Sequence, residues 1–391
     1  MKLLVLLSRF PYPLDKGDKL RAFHQLRHLA RHFEVCLFAL SDEDVTPESY
    51  AAVAPLCRGG LHVHRLQKPG IALNMALAAA QARPFQVGYF HDSAAQRRLA
   101  QVVREFRPER GYCQLIRMAE YARPHARAVP FTLDYMDVFS TGMQRWADKA
   151  PAWQRPVMAL EARRLQHYEA RAFDWFRHHT IISDQDRQLI AHEHRQRIQV
   201  VPNGIDTEFF RPEAVAADDT FELVFCGNMA YHPNVEAAVW LAEDILPQVR
   251  RRHPQARLLL AGTTPAARVL ALQSDSVKVS GWLPDIRTAY AAARVFVAPM
   301  RTGTGLQNKL LEAMAMGRPS VTTPLANNAL GGTPGQHLLV GADTAALADS
   351  VCQLLDRPAE AAGLAAQGRE FVRERYTWEG TTERLAGLLM Q

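Results

Sequence analysis

A chain of 391 residues, 48% hydrophobic and 22% charged, has the composition of a folded protein and is long enough for two cores of ordinary size, which excludes a disordered or fibrous chain. The net charge of +6 is lopsided: residues 1–200 carry 29 Lys and Arg against 20 Asp and Glu, while the remainder is slightly acidic. Five scattered cysteines without a Cys-x-x-Cys pair exclude a disulfide framework and a cysteine zinc site, and fit a reducing cytoplasm.

The first predicted element is a strand, Lys2–Leu7. It is too short for a signal peptide and runs into Ser8-Arg9 without a small-residue cleavage site. A helix from Asp18 to Arg31 and a strand Phe33–Leu40 follow. The longest other apolar stretch, Ile71–Ala80, falls well short of a spanning helix, so a protein neither exported nor inserted is expected. Further strands are predicted at His62–Leu66, Gly111–Gln114, Val129–Leu133 and His179–Ser183, with a long amphipathic helix over Trp153–Trp175. Cys36 and Cys226 sit in apolar runs and read as small core residues. Ile198–Val201, stopped by Pro202-Asn203-Gly204, reads as a hinge.

Beyond the hinge, Phe221–Cys226 is predicted as a strand and Asn234–Arg252 as a helix. Strand Ala256–Ala261, a helix after Pro265, strand Val277–Ser280 and helix Asp285–Ala293 come next. Strand Val295–Ala298, helix Leu306–Met316 and strand Ser320–Thr323 complete the pattern. Strands with continuous apolar runs, alternating with helices, predict an α/β fold of two Rossmann-like, doubly wound parallel-sheet domains facing each other across a cleft. The expected boundaries are 1–202 and 203–375, with a closing helix over 376–391 that crosses back to the first domain.

One segment carries the chemistry. After the strand ending at Pro299, Arg301-Thr-Gly-Thr-Gly-Leu306 makes a glycine-rich turn that opens a helix, and the helix stops at Gly317 before Pro319. Glycines let backbone approach a ligand closely, and the free N–H groups of a helix start attract phosphate. Gly305, Lys309 and Glu312 stand at i, i+4 and i+7 and share one face, beside an apolar stripe of Leu306, Leu310 and Met314. A plain buried helix with a surface Lys–Glu pair is the bland alternative. The glycine turn, Lys309, Glu312 and the terminating glycine together favour a phosphate-binding cradle.

Here the chain resembles a known family. Leu311-Glu-Ala-Met-Ala-Met-Gly-Arg-Pro-Ser-Val321 is similar to the donor-site helix of family-4 glycosyltransferases, which have the GT-B fold. Val201-Pro-Asn-Gly-Ile-Asp206, Phe225-Cys-Gly227 and Tyr376-Thr-Trp-Glu379 resemble other landmarks of that family. Arg9-Phe-Pro-Tyr-Pro-Leu-Asp-Lys-Gly-Asp-Lys-Leu-Arg21, Asn228-Met-Ala-Tyr-His-Pro-Asn234 and Gln307-Asn-Lys309 resemble a narrower group, the sugar transferases of PEP-CTERM/exosortase exopolysaccharide systems.

The resemblance implies a retaining, metal-independent transfer of a sugar from a nucleoside-diphosphate sugar, a substrate rather than a cofactor, to a glycan or lipid-linked acceptor. No cofactor and no nucleic acid are expected, and peripheral contact with an anionic inner-membrane face is an open possibility for the basic half. Glu312 is expected on the donor's ribose hydroxyls and Lys309 on its diphosphate. The Gly303, Thr304, Gly305 and Leu306 backbone would cradle phosphate and sugar, and Gly17 would let donor phosphate pack closely. Thr304 stands where the family has a second Glu, and Asn228 and Asn234 stand near where it has Arg and Lys. Arg301 is left as an auxiliary cation. A family His has no match; Asp134 and Asp137 occupy its segment and are candidate acceptor bases, with strand or helix capping as the alternative.

Other signals are weak. His62-x-His64 and His192-x-His194 lack a nearby third ligand, and Gly227-Asn-Met does not begin a dinucleotide-binding Gly-x-Gly-x-x-Gly. A nucleotide-sugar epimerase of the same fold and a basic membrane- or nucleic-acid-binding protein remain as alternative functions.

Overall fold

The computed structural model describes residues 1–212, 215, 221–302 and 306–391. The chain divides into two units, Met1–Pro202 with Thr381–Gln391, and Asn203–Gly380.

The first unit is a parallel sheet of β1 (Lys2–Leu7), β2 (Glu34–Ser41), β3 (Gly60–Arg65), β4 (Arg110–Gln114), β5 (Phe131–Asp134), β6 (His178–Ile181) and β7 (Gln199–Val200). Their order across the sheet is β3-β2-β1-β4-β5-β6-β7. Side chains alternate faces along a strand, so both faces of β1 must be apolar for it to lie inside a doubly covered sheet. Leu3, Val5 and Leu7 join one core with Ala22, Leu26 and Leu29 of the helix Gly17–Leu29 and with Leu385, Ala386 and Leu389 of the helix Trp378–Met390. Leu4 and Leu6 point the other way, into a core closed by the helices Ser93–Phe106 and Arg155–Phe173.

The second unit is built on β8 (Phe221–Cys226), β9 (Leu258–Ala261), β10 (Val277–Gly281), β11 (Ala293–Ala298), β12 (Ser320–Thr322) and β13 (Leu339–Val340). All pairs are parallel, in the order β10-β9-β8-β11-β12-β13. The chain runs outward from β8 to β10, then returns to the far side of β8 with β11. In such sheets, ligands bind beyond the carboxyl ends of the strands where that reversal occurs, here between β8 and β11.

Two expected helices differ in detail. The stretch predicted as one helix over Asn234–Arg252 starts at His232 and passes through a wide π turn at Leu241–Ile245 before resuming as Leu246–Arg252. Pro247 lies just past that turn; it has no N–H and its ring crowds the carbonyl four residues back. The donor-type helix begins at Asn308 rather than Leu306, because Gln307 is extended (φ −87°, ψ 97°). All five cysteines are free and buried, Cys36 and Cys226 among them.

Candidate functional site

The strand reversal of the second unit opens onto a cavity of about 430 Å³. Its floor depends on two glycines. Gly262, which follows β9, has φ +138°, and a Cβ there would stand 1.8 Å from the carbonyl oxygen of Gly227, which follows β8. Only glycine lets these two strand ends meet. A Cβ on Gly227 would in turn strike the Asn234 amide at 2.7 Å.

Lys309 enters from the first turn of the helix Asn308–Ala315, whose start carries no side-chain cap. Its Nζ donates to Asn234 Oδ1 (2.9 Å) and Gln307 Oε1 (3.0 Å), both neutral. Asn234 is held by its own Nδ2, which donates to the Asn228 carbonyl (2.9 Å). Burial pulls the ammonium's pKa down to about 8, against the stabilising charge of Glu312. A cation held by neutral amides in a desolvated site is unsatisfied electrostatically and favours an incoming anion.

Glu312 lies almost one helical turn further along. Its Oε2 accepts from the hydroxyl of the fully buried Tyr290 (2.6 Å), on the short helix Arg287–Ala291. Burial raises the pKa of Glu312, opposed by the Tyr290 hydrogen bond and the Lys309 charge. Asn308 also lines the cavity, and its Oδ1 is sealed from solvent without a partner. Trp282, just after β10, stands 65% exposed at the cavity's edge, where an aromatic face is available for stacking. The arrangement offers one cation, one hydroxyl-accepting carboxylate, uncapped helix N–H groups and an aromatic face.

The structure gathers Lys309, Glu312, Asn228 and Leu306 around this cavity. Gly303, Thr304 and Gly305 lie outside the described residues. Arg301 goes elsewhere: its guanidinium stacks 3.6 Å from the Trp240 ring centroid, in a separate recess with Thr323 and Asp343. The flat guanidinium gains more against that indole than in solvent, which draws it away from Lys309. Gly17 opens the first helix of the first unit, exposed, with space for a Cβ.

The expectation for Asp134 needs correction. Asp134 is completely buried; its Oδ2 accepts from Arg21 Nε (2.8 Å) and the Tyr112 hydroxyl (2.6 Å), and its Oδ1 from the Met136 amide (3.2 Å). Arg21, equally buried, also donates to the Val201 carbonyl (2.9 Å). This carboxylate neutralises an interior arginine and has no exposed surface from which to take an acceptor's proton. Asp137 is half-buried and accepts from the Val138 amide (2.9 Å), and desolvation raises its pKa. Two Asp-x-Asp triplets also stand in the first unit. Asp42 accepts from Tyr89 and Asp44 pairs with Arg65, while Asp186 accepts from Ser183 at a helix start.

Sequence reasoning missed Gly262, Tyr290, Asn308 and Trp282 as parts of the site. Gly262 had a legible signal, since it follows β9 as Gly227 follows β8. Tyr290 had none, for its partner is 22 residues away.

Paired sheets of this strand order, the second with an anion-ready cavity at its reversal, define a two-domain α/β protein of the GT-B fold. Residues 220–357 match the family described as Glycosyl transferases group 1. The chain is 29% identical over 212 residues to the GDP-mannose-dependent monoacylated alpha-(1-6)-phosphatidylinositol monomannoside mannosyltransferase of Corynebacterium glutamicum, covering 48% of this chain and 55% of that one. It spans about half the length of the curated relatives it matches. Among solved structures, HepE of Anabaena in complex with UDP superposes with a TM-score of 0.70 at 12% identity, over 100% of both chains. Sucrose-phosphate synthase from Thermosynechococcus elongatus gives 0.67 at 18%, over 99% of this chain and 98% of that one. The chain is thus similar in sequence to glycosyltransferases over part of its length and folds like them throughout.

Proposed function

We propose that the protein is a glycosyltransferase whose second unit binds a nucleoside-diphosphate sugar, with Lys309 on the diphosphate and Glu312 on the ribose hydroxyls. The observation that carries this reading is the half-buried Lys309 ammonium, fixed by the neutral Asn234 and Gln307 and without a carboxylate in contact among the described residues.

When the bond from the anomeric carbon to the diphosphate breaks, negative charge builds on the leaving oxygen. A preorganised cation and uncapped helix N–H groups stabilise that charge without rearranging. Glu312, oriented by Tyr290, retains an oxygen to accept hydroxyl protons. The sequence resemblance supports retention of configuration, independence from metal, and a glycan or lipid-linked acceptor in exopolysaccharide assembly, with the first unit on the acceptor side. The donor belongs to the UDP- or GDP-sugar class: the Corynebacterium relative is GDP-mannose-dependent by name, and the Anabaena structure holds UDP.

A panel of UDP- and GDP-sugars, scored by thermal stabilisation in EDTA, tests this. A ligand at about a hundred times its dissociation constant adds roughly 2.7 kcal/mol to stability. Stabilisation by no nucleotide sugar overturns the reading, and stabilisation only with an added divalent cation overturns its metal independence.

A further inference from the structure

The first unit holds a second cavity, of about 450 Å³, that the proposed transfer does not use. It lies between the long helix Arg155–Phe173 and the connector Gln81–Pro84 that follows the helix Lys68–Ala80. Five arginines line it, Arg83, Arg123, Arg163, Arg164 and Arg171, against one acidic residue, Glu120. Glu120 approaches Arg123 at 3.8 Å, and among the described residues no carboxylate lies within ion-pair distance of Arg83, Arg163, Arg164 or Arg171.

Some of these groups are built in. Arg164 donates to the Ala79 carbonyl (3.1 Å), and Arg123 stacks on Trp175 with its carbon 4.5 Å from the ring centroid. Tyr168 lines the same cavity, is 5% exposed, and its sealed hydroxyl has no hydrogen-bond partner. So many arginines around one hollow repel one another until an anion enters.

Exposed apolar residues stand on both helices that lead to this cavity, and one of them, Leu160, lines it. Val157 (57% exposed) and Leu160 (46%) precede Arg164 at helical spacings of three and four, which puts them on one face. Leu73 (62%) and Leu77 (47%) precede Gln81, another lining residue, in two steps of four. Scattered exposed apolar residues need no explanation, but a pair on each of the two helices that lead to one cationic pocket is the composition of an amphipathic surface.

We propose that this surface docks on an anionic phospholipid membrane. A headgroup phosphate enters the arginine pocket, while Leu73, Leu77, Val157 and Leu160 sit at the boundary between headgroups and acyl chains. The proposal stands independently of glycosyl transfer, because none of these residues belongs to the Lys309 cavity.

Vesicle flotation of the full chain at low salt tests it, with phosphatidylcholine alone and with phosphatidylglycerol added. The wild type floats with the anionic vesicles only, and raising the salt releases it. Arg163→Gln with Arg171→Gln weakens vesicle affinity about 25-fold, at roughly fivefold for each arginine removed. Leu73→Ser with Leu77→Ser weakens it while leaving the charge unchanged. Melting curves confirm that both variants fold. Equal recovery on neutral and anionic vesicles overturns the proposal, as does wild-type flotation by both folded variants. If inorganic phosphate or glycerol phosphate stabilises the protein but anionic vesicles do not capture it, the pocket serves a soluble phosphate and the membrane assignment fails.

Discussion

Replacing Lys309 with methionine removes the ammonium and keeps most of the side chain's length. The gap between about 8 in the folded protein and the ordinary 10.5 means that holding this charge costs the unliganded fold about 3 kcal/mol at neutral pH. For a base held below its unfolded value, that cost is fully present below pH 8 and disappears as pH rises to 10.5. Methionine also deprives Asn234 and Gln307 of a donor, about 1 kcal/mol each. The free variant is therefore as stable as the wild type within about 1 kcal/mol, or more stable, by urea denaturation at pH 7. Its affinity for a nucleoside diphosphate falls by about 2–4 kcal/mol, roughly 30- to 1000-fold by titration calorimetry. Wild-type affinity declines toward tenfold per pH unit above pH 8 as the ammonium deprotonates, a dependence the variant lacks. A variant that denatures much more readily yet binds the nucleotide like the wild type would show that Lys309 is scaffolding, and the site assignment would fall.

Gly262→Ala must place a methyl within 1.8 Å of the Gly227 carbonyl at φ +138°, so it loses at least about 3 kcal/mol of stability along with nucleotide binding; a melting temperature near that of the wild type would mean the floor can part cheaply. Asp134→Asn strands the buried Arg21 charge and costs about 3–5 kcal/mol, whereas Arg21→Met with Asp134→Leu recovers much of that loss. A stable Asp134→Asn protein with lost turnover would restore the acceptor-base role. Burial raises Glu169 to about 7, against hydrogen bonds from Ser140 and Phe139. The unfolded chain then ionises first, so stability falls as pH rises from about 4.5 to 7, and Glu169→Gln flattens that slope in pH-dependent melts; an unchanged slope rules this carboxyl out as its source.

The parts legible in sequence are those that local chemistry settles. Buried strands such as Leu3–Leu7 and Phe221–Cys226 announce themselves as apolar runs, because a strand covered on both faces has no polar side to show. Lys309 and Glu312 share a helix face by spacing alone, and the alternation of strands and helices implies parallel sheets. The helix Ser93–Phe106, by contrast, is hard to read from the letters, although Asp92 caps it and Ala95, Leu99, Val102 and Phe106 form its buried face. Its signal is an Arg- and Gln-rich stretch whose apolar residues matter only once a sheet lies beneath them.

What tertiary structure decided are the pairings between residues far apart in the chain. Sheet order brings Asp134 to Arg21, 113 positions earlier, and so turns a candidate base into the counter-ion of an interior arginine. It sets Tyr290 against Glu312, and Asn234 against Lys309 across 75 positions. The Trp240 ring, also distant in sequence, draws Arg301 away from the cavity it was expected to join. Spacing along a helix is fixed by 1.5 Å per residue and can be read from letters. Which strand ends come together at a reversal depends on crossovers whose partners no local window contains, so the sequence by itself placed the cation and the carboxylate, and only the folded sheet chose the groups that hold them.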